Sequence, residues 1–389
     1  MTTQKRKLSN VLASALVGAL IAGLLGAGLF VINGGSFDEV IQGDTHSRQA
    51  STVELQKVTD SLGREVEIPA NPQRIAAMDA FSGNVCVLLG AGDKMMGAPG
   101  GVISNELLQE LSPTLDSITQ LAGNVVNTET LLAEGVDVVL IRKALFDSEK
   151  EVEQLDKLDI PYVVVDYKSI EEQIDAIKLL GKVCGESSLK TADLITQYYQ
   201  QTLDMVEKRA ELIPENERKR VYHSINDPFL CDGSDSIGAD WILRCGAISV
   251  SGEEESTEGM GDYNATLEQI YEWAPDAIIC STAAAKQTIL SDPQWQGLDA
   301  LASQQVYNLP VSSSRWGQRG DPEVFLGMLW LGKTLYPDVY EDIDLKETVV
   351  SYYKDIIGLT IDDETWDAIV AGEGLRIESS GGQEGGRNA

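Results

Sequence analysis

Short aliphatic, β-branched runs alternate with helix-length segments along most of this chain, and that alternation constrains its fold more than any other feature. Residues 74–78 (RIAAM), 136–141 (VDVVLI) and 161–165 (PYVVV) are apolar over nearly their whole length. A strand that reads as a continuous apolar run is covered on both faces. With helices between such strands, the arrangement that covers both faces is a parallel sheet with crossover helices. The fold class is therefore α/β. At 389 residues the chain exceeds what one hydrophobic core usually serves, so more than one compact region is expected.

The second half echoes the first. Residues 127–141 (NTETLLAEGVDVVLI) align without gaps on residues 266–280 (TLEQIYEWAPDAIIC). Each copy has a capping residue, a glutamate in the first turn, a short helix, an aspartate and a buried strand. Likewise Arg74-Ile75, a loop and a helix ending at residues 89–92 resemble Arg220-Val221, a loop and a helix ending at residues 245–247. Two similar lobes follow. Between them Ala192, Ile195, Tyr199, Leu203, Val206, Ala210 and Ile213 recur every three or four residues, forming one apolar stripe on a helix of about seven turns. The expected division is a lobe over 57–187, an interlobe helix over 188–213 and a second lobe over 214–370.

Ahead of the lobes, Lys5, Arg6 and Lys7 precede an uncharged apolar run from Val11 to Ile32. As a helix it would be roughly 33 Å long, enough for a hydrocarbon core of about 30 Å. No small-x-small cleavage site follows it, so residues 1–32 are expected to be an uncleaved transmembrane anchor, with the N-terminus cytoplasmic and the rest outside. A polar tether over 33–56 and a Gly/Ser-rich, disordered tail over 371–389 complete the chain.

Charge and cysteine usage exclude whole classes of function. With 61 Asp and Glu against 30 Lys and Arg, the net charge of -31 repels nucleic acid, and no nucleic-acid partner is expected. Five cysteines (Cys86, Cys184, Cys231, Cys245, Cys280) lie scattered, without CxxC spacing and without clustering near His46 or His223. No metal site and no cofactor is read from them. One bridge is left open, Cys231 with Cys245. No nucleophile–base motif and no phosphate-binding glycine loop is present, so the chain is not expected to be an enzyme.

Several ordered motifs carry a family resemblance. Residues 58–69 (VTDSLGREVEIP) with Pro72-Gln73-Arg74-Ile75, Leu267-Glu268-Gln269-Ile270 with Ala274-Pro275-Asp276, and residues 292–295 (DPQW) running to 306–310 (VYNLP) resemble the substrate-binding proteins of iron-siderophore, haem and cobalamin ABC importers. Residues 326–337 (LGMLWLGKTLYP), Asp342 to Asp344 and Tyr352-Tyr353 resemble a subgroup associated with metal chelates and oxyanions. The likeness covers roughly residues 56 to 370. It implies two Rossmann-like lobes with parallel sheets joined by a single long helix, with cargo held between them. Members in bacteria with one membrane commonly carry a lipid-bearing cysteine just after the apolar run. Here the first cysteine is Cys86.

The resemblance also assigns roles. Glu129 and Glu268 match the family's two docking glutamates, which meet arginine pockets on the permease dimer that works with ATPase subunits. Cargo contacts are expected on loops at the carboxyl ends of strands: Asp79, Phe81, Gly100, Arg142, His223, Arg315, Trp316 and Arg319. Arg315 and Arg319 flank Trp316, so guanidinium groups would hold an anionic chelate while the indole covers its face. The expected function is extracytoplasmic capture of a metal chelate for an ABC importer, an iron-siderophore first, with haem, cobalamin or an oxyanion as alternatives. A membrane-anchored sensor or storage protein without transport, and a chelatase-like enzyme, are the rival readings.

Overall fold

The computed structural model describes residues 54–257, 261–372 and 374–375. The expected anchor over 1–32, nearly all of the 33–56 tether and most of the 371–389 tail lie outside those residues. Among the described residues no helix is long and apolar enough to cross a membrane.

An antiparallel hairpin of β1 (Leu55–Thr59) and β2 (Glu65–Pro69) leads into the first lobe. There β3 (Ile75–Ala77), β4 (Met95–Ala98), β5 (Thr119–Gln120), β6 (Val138–Ile141) and β7 (Tyr162–Val164) form an all-parallel sheet in the order β5-β4-β3-β6-β7. The apolar runs sit where their hydrophobicity requires: every residue of β3 and β6 is buried. The chain builds outward from β3 in one direction and then returns to place β6 on its other side. The carboxyl ends of β3 and β6 therefore flank a topological switch point, where loops diverge and leave a crevice.

The second lobe contains β8 (Arg220–Ser224), β9 (Leu230–Asp232), β10 (Ile248–Ser249), β11 (Asp262–Asn264), β12 (Ala277–Cys280) and β13 (Val306–Asn308), in the order β11-β9-β8-β12-β13 with β10 also pairing with β8. This sheet is mixed, which corrects the expectation of a purely parallel one: β9 runs antiparallel to both β8 and β11. The cause is connection length. The loop between β8 and β9 spans only residues 225–229, too few for a crossover helix, so the strand must turn back as a hairpin.

The internal echo is met residue by residue. Asn127 and Thr266 cap the helices Thr128–Ala133 and Leu267–Trp273 by accepting from the backbone N–H three residues on. Both helices then end in a left-handed residue, Gly135 at φ 59° and Ala274 at φ 42°. Arg74 and Arg220, at the starts of β3 and β8, aim their Nε at the carbonyls of Glu134 and Trp273. Their backbone N–H groups donate to Asp137 and Asp276 at 3.0 and 2.7 Å. Each lobe thus fastens its helix end to its central strand with the same arginine and the same aspartate.

The striped segment forms a 25-residue helix, Glu186–Ala210, which Gly185 at φ 109° separates from the preceding helix Ile170–Cys184. Ala192, Ile195, Tyr199, Leu203 and Val206 are all buried on it. Tyr199 meets Phe325 of the helix Val324–Leu335 at a ring separation of 4.9 Å. Long-range polar contacts tie the halves more directly. Asn84 donates to the carbonyl of Gly320 at 3.1 Å, Asn105 to that of Ser312 at 2.8 Å and Gln173 to that of Asp321 at 2.9 Å. Tyr167 donates through its hydroxyl to the carbonyl of Arg319. The three amide side chains are buried, so losing one leaves a carbonyl unserved at about 1–3 kcal/mol.

Segment 312–323, which receives these bonds, is itself fixed by a buried acid. Oε2 of Glu323 accepts from the hydroxyls of Ser312, Ser313 and Tyr353 at 2.9, 2.6 and 2.7 Å. Its Oε1 has no partner among the described residues. Burial pushes this carboxyl above its ordinary range, and burial together with Glu323 pushes Asp321 further up. An acid whose folded pKa is raised gives its full share of stability below the unfolded value of about 4.3, and loses it as pH rises through the folded value. Glu323→Gln keeps an acceptor oxygen and abolishes the titration. Urea midpoints should therefore shift in favour of the variant relative to wild type as pH rises from about 4 to about 8. A difference that stays constant across that window would show that Glu323 does not titrate there.

Candidate functional site

Beyond the carboxyl ends of β6 and β7 lies a cavity of about 480 Å³ with residues of the second lobe on its far side. Arg142, Lys143, Asp147, Asp166, Tyr167 and Lys168 line it from the first lobe, and Asp235, Ser236, Ile237, Ser256, Gly261 and Arg319 from the second. Arg142 is the residue immediately after β6, and residues 166–168 follow β7, so both come from strand carboxyl ends. On the opposite wall, Ser236 caps the helix Ile237–Arg244 and Gly261 precedes β11.

Arg142 is the central side chain. Its residue is 8% exposed, its Nη2 meets Asp166 at 3.1 Å, and its guanidinium lies 4.3 Å from the centre of the Tyr167 ring. Nε and Nη1 are shut from solvent and have no hydrogen-bond acceptor among the described residues. Leaving buried donors unserved costs about 1–3 kcal/mol each, so the fold carries a donor excess here. Burial pulls the guanidinium down, but Tyr167, Asp79 and Asp166 together more than reverse it, and the group stays charged.

Around this cation the acids are strained towards neutrality. Asp79 caps the helix Ala80–Leu88 by accepting from the N–H of Ser82 at 3.0 Å, while its Oδ2 is buried with no partner among the described residues. Burial raises its pKa and Arg142 opposes the rise; the same two causes act on Asp166. Burial likewise pushes the Tyr167 hydroxyl up to about 12, so it remains a donor at neutral pH. Across the cavity, Lys168 reaches Asp235 at 2.7 Å and Arg319 binds Asp262 at 2.5 and 2.6 Å. The lining carries four cations, Arg142, Lys143, Lys168 and Arg319, against three carboxylates, a local reversal of the overall charge of -31.

Of the eight residues read as cargo contacts, Arg142 and Arg319 line the cavity. Asp79 and Phe81 stand just behind it: Asp79 acts on Arg142, and the Phe81 ring packs 4.5 Å from that of Tyr167. Gly100 begins the short helix Gly100–Ile103 and, like Arg315, is not part of the lining. Trp316 is a correction. It has no accessible surface and its indole N–H donates to Ser312 at 2.8 Å, so the ring is core packing for segment 312–323 and not a lid over cargo. His223 is a second correction. Its Nδ1 meets Asp232 at 2.6 Å and its Nε2 meets Ser281 at 2.9 Å, and all three residues are buried away from the cavity lining. With both ring nitrogens engaged, the relay fastens β9 across β8 to the end of β12.

Sequence reasoning missed Asp166, Tyr167 and Lys168. The signal is present in the sequence, since the three residues follow the apolar run of β7. Asp235 and Ser236 follow the short strand β9, and Ser256 and Gly261 lie between β10 and β11, none of which is a long apolar run that would mark it in the sequence. Glu129 and Glu268 sit in the first turns of the two equivalent helices, both exposed.

Residues 75–312 match the periplasmic binding protein family, more than half of the chain. The molybdate-binding protein MolA of Haemophilus influenzae is 27% identical over 335 aligned positions, covering 76% of this chain and 89% of that protein. An uncharacterized ABC transporter substrate-binding lipoprotein of Bacillus subtilis, YvrC, is 22% identical and covers 77% of this chain and 92% of its own length. Among solved structures, MolA of Haemophilus influenzae bound to molybdate superposes with a TM-score of 0.70 at 23% identity, over 79% of this chain and 99% of that one. A periplasmic solute binding protein from Veillonella parvula gives 0.67 at 24% identity, over 82% and 97%. At these identities the superpositions show a shared fold.

The buried position of Trp316 has a measurable consequence. Trp316→Phe removes the bond to Ser312 and part of a packed ring, and should cost about 1–3 kcal/mol in urea unfolding. A loss below about 0.5 kcal/mol, typical of surface substitutions, would place the indole outside the core.

Proposed function

Because the chain belongs to the periplasmic binding protein family, we propose that it is the extracytoplasmic substrate-binding component of an ABC importer and that its cargo is an anionic metal species. That class includes a metal oxyanion and an anionic ferric chelate. Arg142 carries this reading: a buried guanidinium with two nitrogens that have no partner among the described residues, at the carboxyl end of β6 on a cavity wall, is a donor set short of acceptors. Oxyanions and carboxylates supply acceptors in the planar geometry that guanidinium matches. Two relatives support it in kind. MolA is named for binding molybdate, and YvrC is named a substrate-binding lipoprotein of an ABC transporter. In this chain the apolar segment Val11–Ile32 would take the place of the lipid at the outer face of the membrane.

Local positive charge is what lets such a cargo enter. An anion approaching a chain of net charge -31 is repelled at long range, with salt screening that repulsion beyond about 8 Å at physiological ionic strength. Inside the cavity it meets Arg142, Arg319 and Lys168, each held by a carboxylate that the anion can partly replace. Titration calorimetry with molybdate, tungstate, an anionic ferric siderophore and cobalamin tests the class. For the tightest anion, Arg142→Ala should lose about 1.5–3 kcal/mol, one to two decades in affinity, and Arg142→Lys less, because an ammonium keeps the charge without the planar fork. Unchanged affinity in Arg142→Ala, or tightest binding of the neutral corrinoid, would overturn the assignment.

Delivery is read from the paired glutamates. Glu129 and Glu268 occupy the same position in the two halves, exposed on helices that precede strands β6 and β12. A pseudo-twofold pair of carboxylates suits a partner made of two related subunits. Glu129→Ala with Glu268→Ala should abolish uptake in cells while leaving the dissociation constant of the purified protein within about a factor of two, since such exposed positions lie off the cavity lining. Loss of cargo affinity in the double variant would remove the docking role.

A further inference from the structure

Two thiols away from the cavity face each other in the first lobe. Cys86 lies in the helix Ala80–Leu88, and Cys184 is the last residue of Ile170–Cys184. Their Sγ atoms are 3.5 Å apart and neither side chain has accessible surface. The pair left open by the sequence, Cys231 with Cys245, points elsewhere: Cys231 donates to the carbonyl of Tyr263 and Cys245 to that of Met328. The backbone at Cys184 is also held, because Lys94 Nζ bonds its carbonyl at 2.7 Å and Asn71 at 2.8 Å. The two sulfurs need approach by only about 1.5 Å to reach a disulfide bond length.

We propose that Cys86 and Cys184 are a redox pair that closes to a disulfide when the chain meets an external disulfide. That the protein meets one in the cell rests on the extracytoplasmic placement proposed above. The step is thiol–disulfide exchange. One cysteine loses its proton, and the thiolate attacks a sulfur of the external disulfide, releasing one external thiolate and leaving a mixed disulfide. The second cysteine, also deprotonated, attacks the protein sulfur of that mixed disulfide, forming the Cys86–Cys184 bond and releasing the other external thiolate. Two electrons pass from the protein to the external disulfide, and the two protons end on its thiols. The hydrogen bond shared with Cys184, which holds the proton on Cys86, and then burial push the Cys86 thiol well up in the folded chain, so exchange belongs to folding or to transient opening.

The bridge would join the two ends of the working frame. Asp79, beside Arg142, caps the helix that carries Cys86, while Cys184 immediately precedes Gly185, where the interlobe helix begins. Closure therefore ties the helix that stands behind the cavity to the start of the long helix Glu186–Ala210.

The test uses the full chain, reduced, unfolded and refolded with oxidised glutathione as the external disulfide. After denaturation, three of the five cysteines should react with a maleimide, the intact mass should fall by about 2 Da, and peptides holding Cys86 and Cys184 should be linked. Cys86→Ser and Cys184→Ser should each abolish the mass loss, and Cys231→Ser should retain it. Five reactive thiols in the refolded wild type, a bridge between any other pair, or stable glutathione adducts on Cys86 or Cys184 would overturn the proposal. Those readouts need no variant to fold. The cellular setting is read separately, by whether a membrane-impermeant amine-reactive label reaches exposed lysines such as Lys150 on intact cells, so its failure leaves the thiol chemistry decided.

Discussion

Buried amide side chains of the first lobe, bonded to main-chain carbonyls of the second, are the interaction on which the rest of this structure depends. Asn84, Asn105 and Gln173 each reach a carbonyl between Ser312 and Asp321, and none of the three is open to water. In a low-dielectric interior such bonds are strong when made and expensive when lost, so they define one relative position of the halves more sharply than apolar packing alone would. The cavity exists because that position is defined. Arg142 stands on one wall and Arg319 on the other, and Tyr167 links the walls through the Arg319 carbonyl.

Segment 312–323 is consequently scaffold as well as cavity wall. Its one contribution to the lining is Arg319, while Trp316, Ser312, Ser313 and Glu323 turn inward and bond one another. A tryptophan beside two arginines suggests recognition when read along the chain. In space it acts as a rigid post from which Arg319 projects, held by Asp262 on β11. The His223 relay does comparable work one strand away, keeping β9 and its following turn in register so that Ser236 and Ile237 face the cavity.

Electrostatics divide the molecule into an acidic exterior and a guarded cationic interior. Each lining cation is paired with a carboxylate, which keeps four positive charges together without a bound anion. Arg142 alone combines deep burial with unserved nitrogens. Buried donors without acceptors are rare in folded proteins because they cost stability, and sites of binding are where that cost is retained.

Local pattern was enough to read much of this from residues alone. Apolar runs marked β3, β6 and β7 to within a residue or two, because a strand covered on both faces must be apolar throughout. The internal repeat was legible because a capping residue, a first-turn glutamate and an aspartate before a buried strand are requirements of a few adjacent residues, and Asn127, Glu129 and Asp137 recur as Thr266, Glu268 and Asp276. Arg142 was found by the rule that loops at strand ends carry function. What the sequence could not decide is which way a side chain turns when several elements compete to cover it. Trp316 and His223 look the same in a string whether they face cargo or core, and only packing against Ser312, Asp232 and Ser281 turns them inward. The pairing of β9 with β11, the wall formed by Asp235 and Ser236, and the meeting of Cys86 with Cys184 join residues far apart in the chain, and such meetings are settled by tertiary structure because no local preference encodes them.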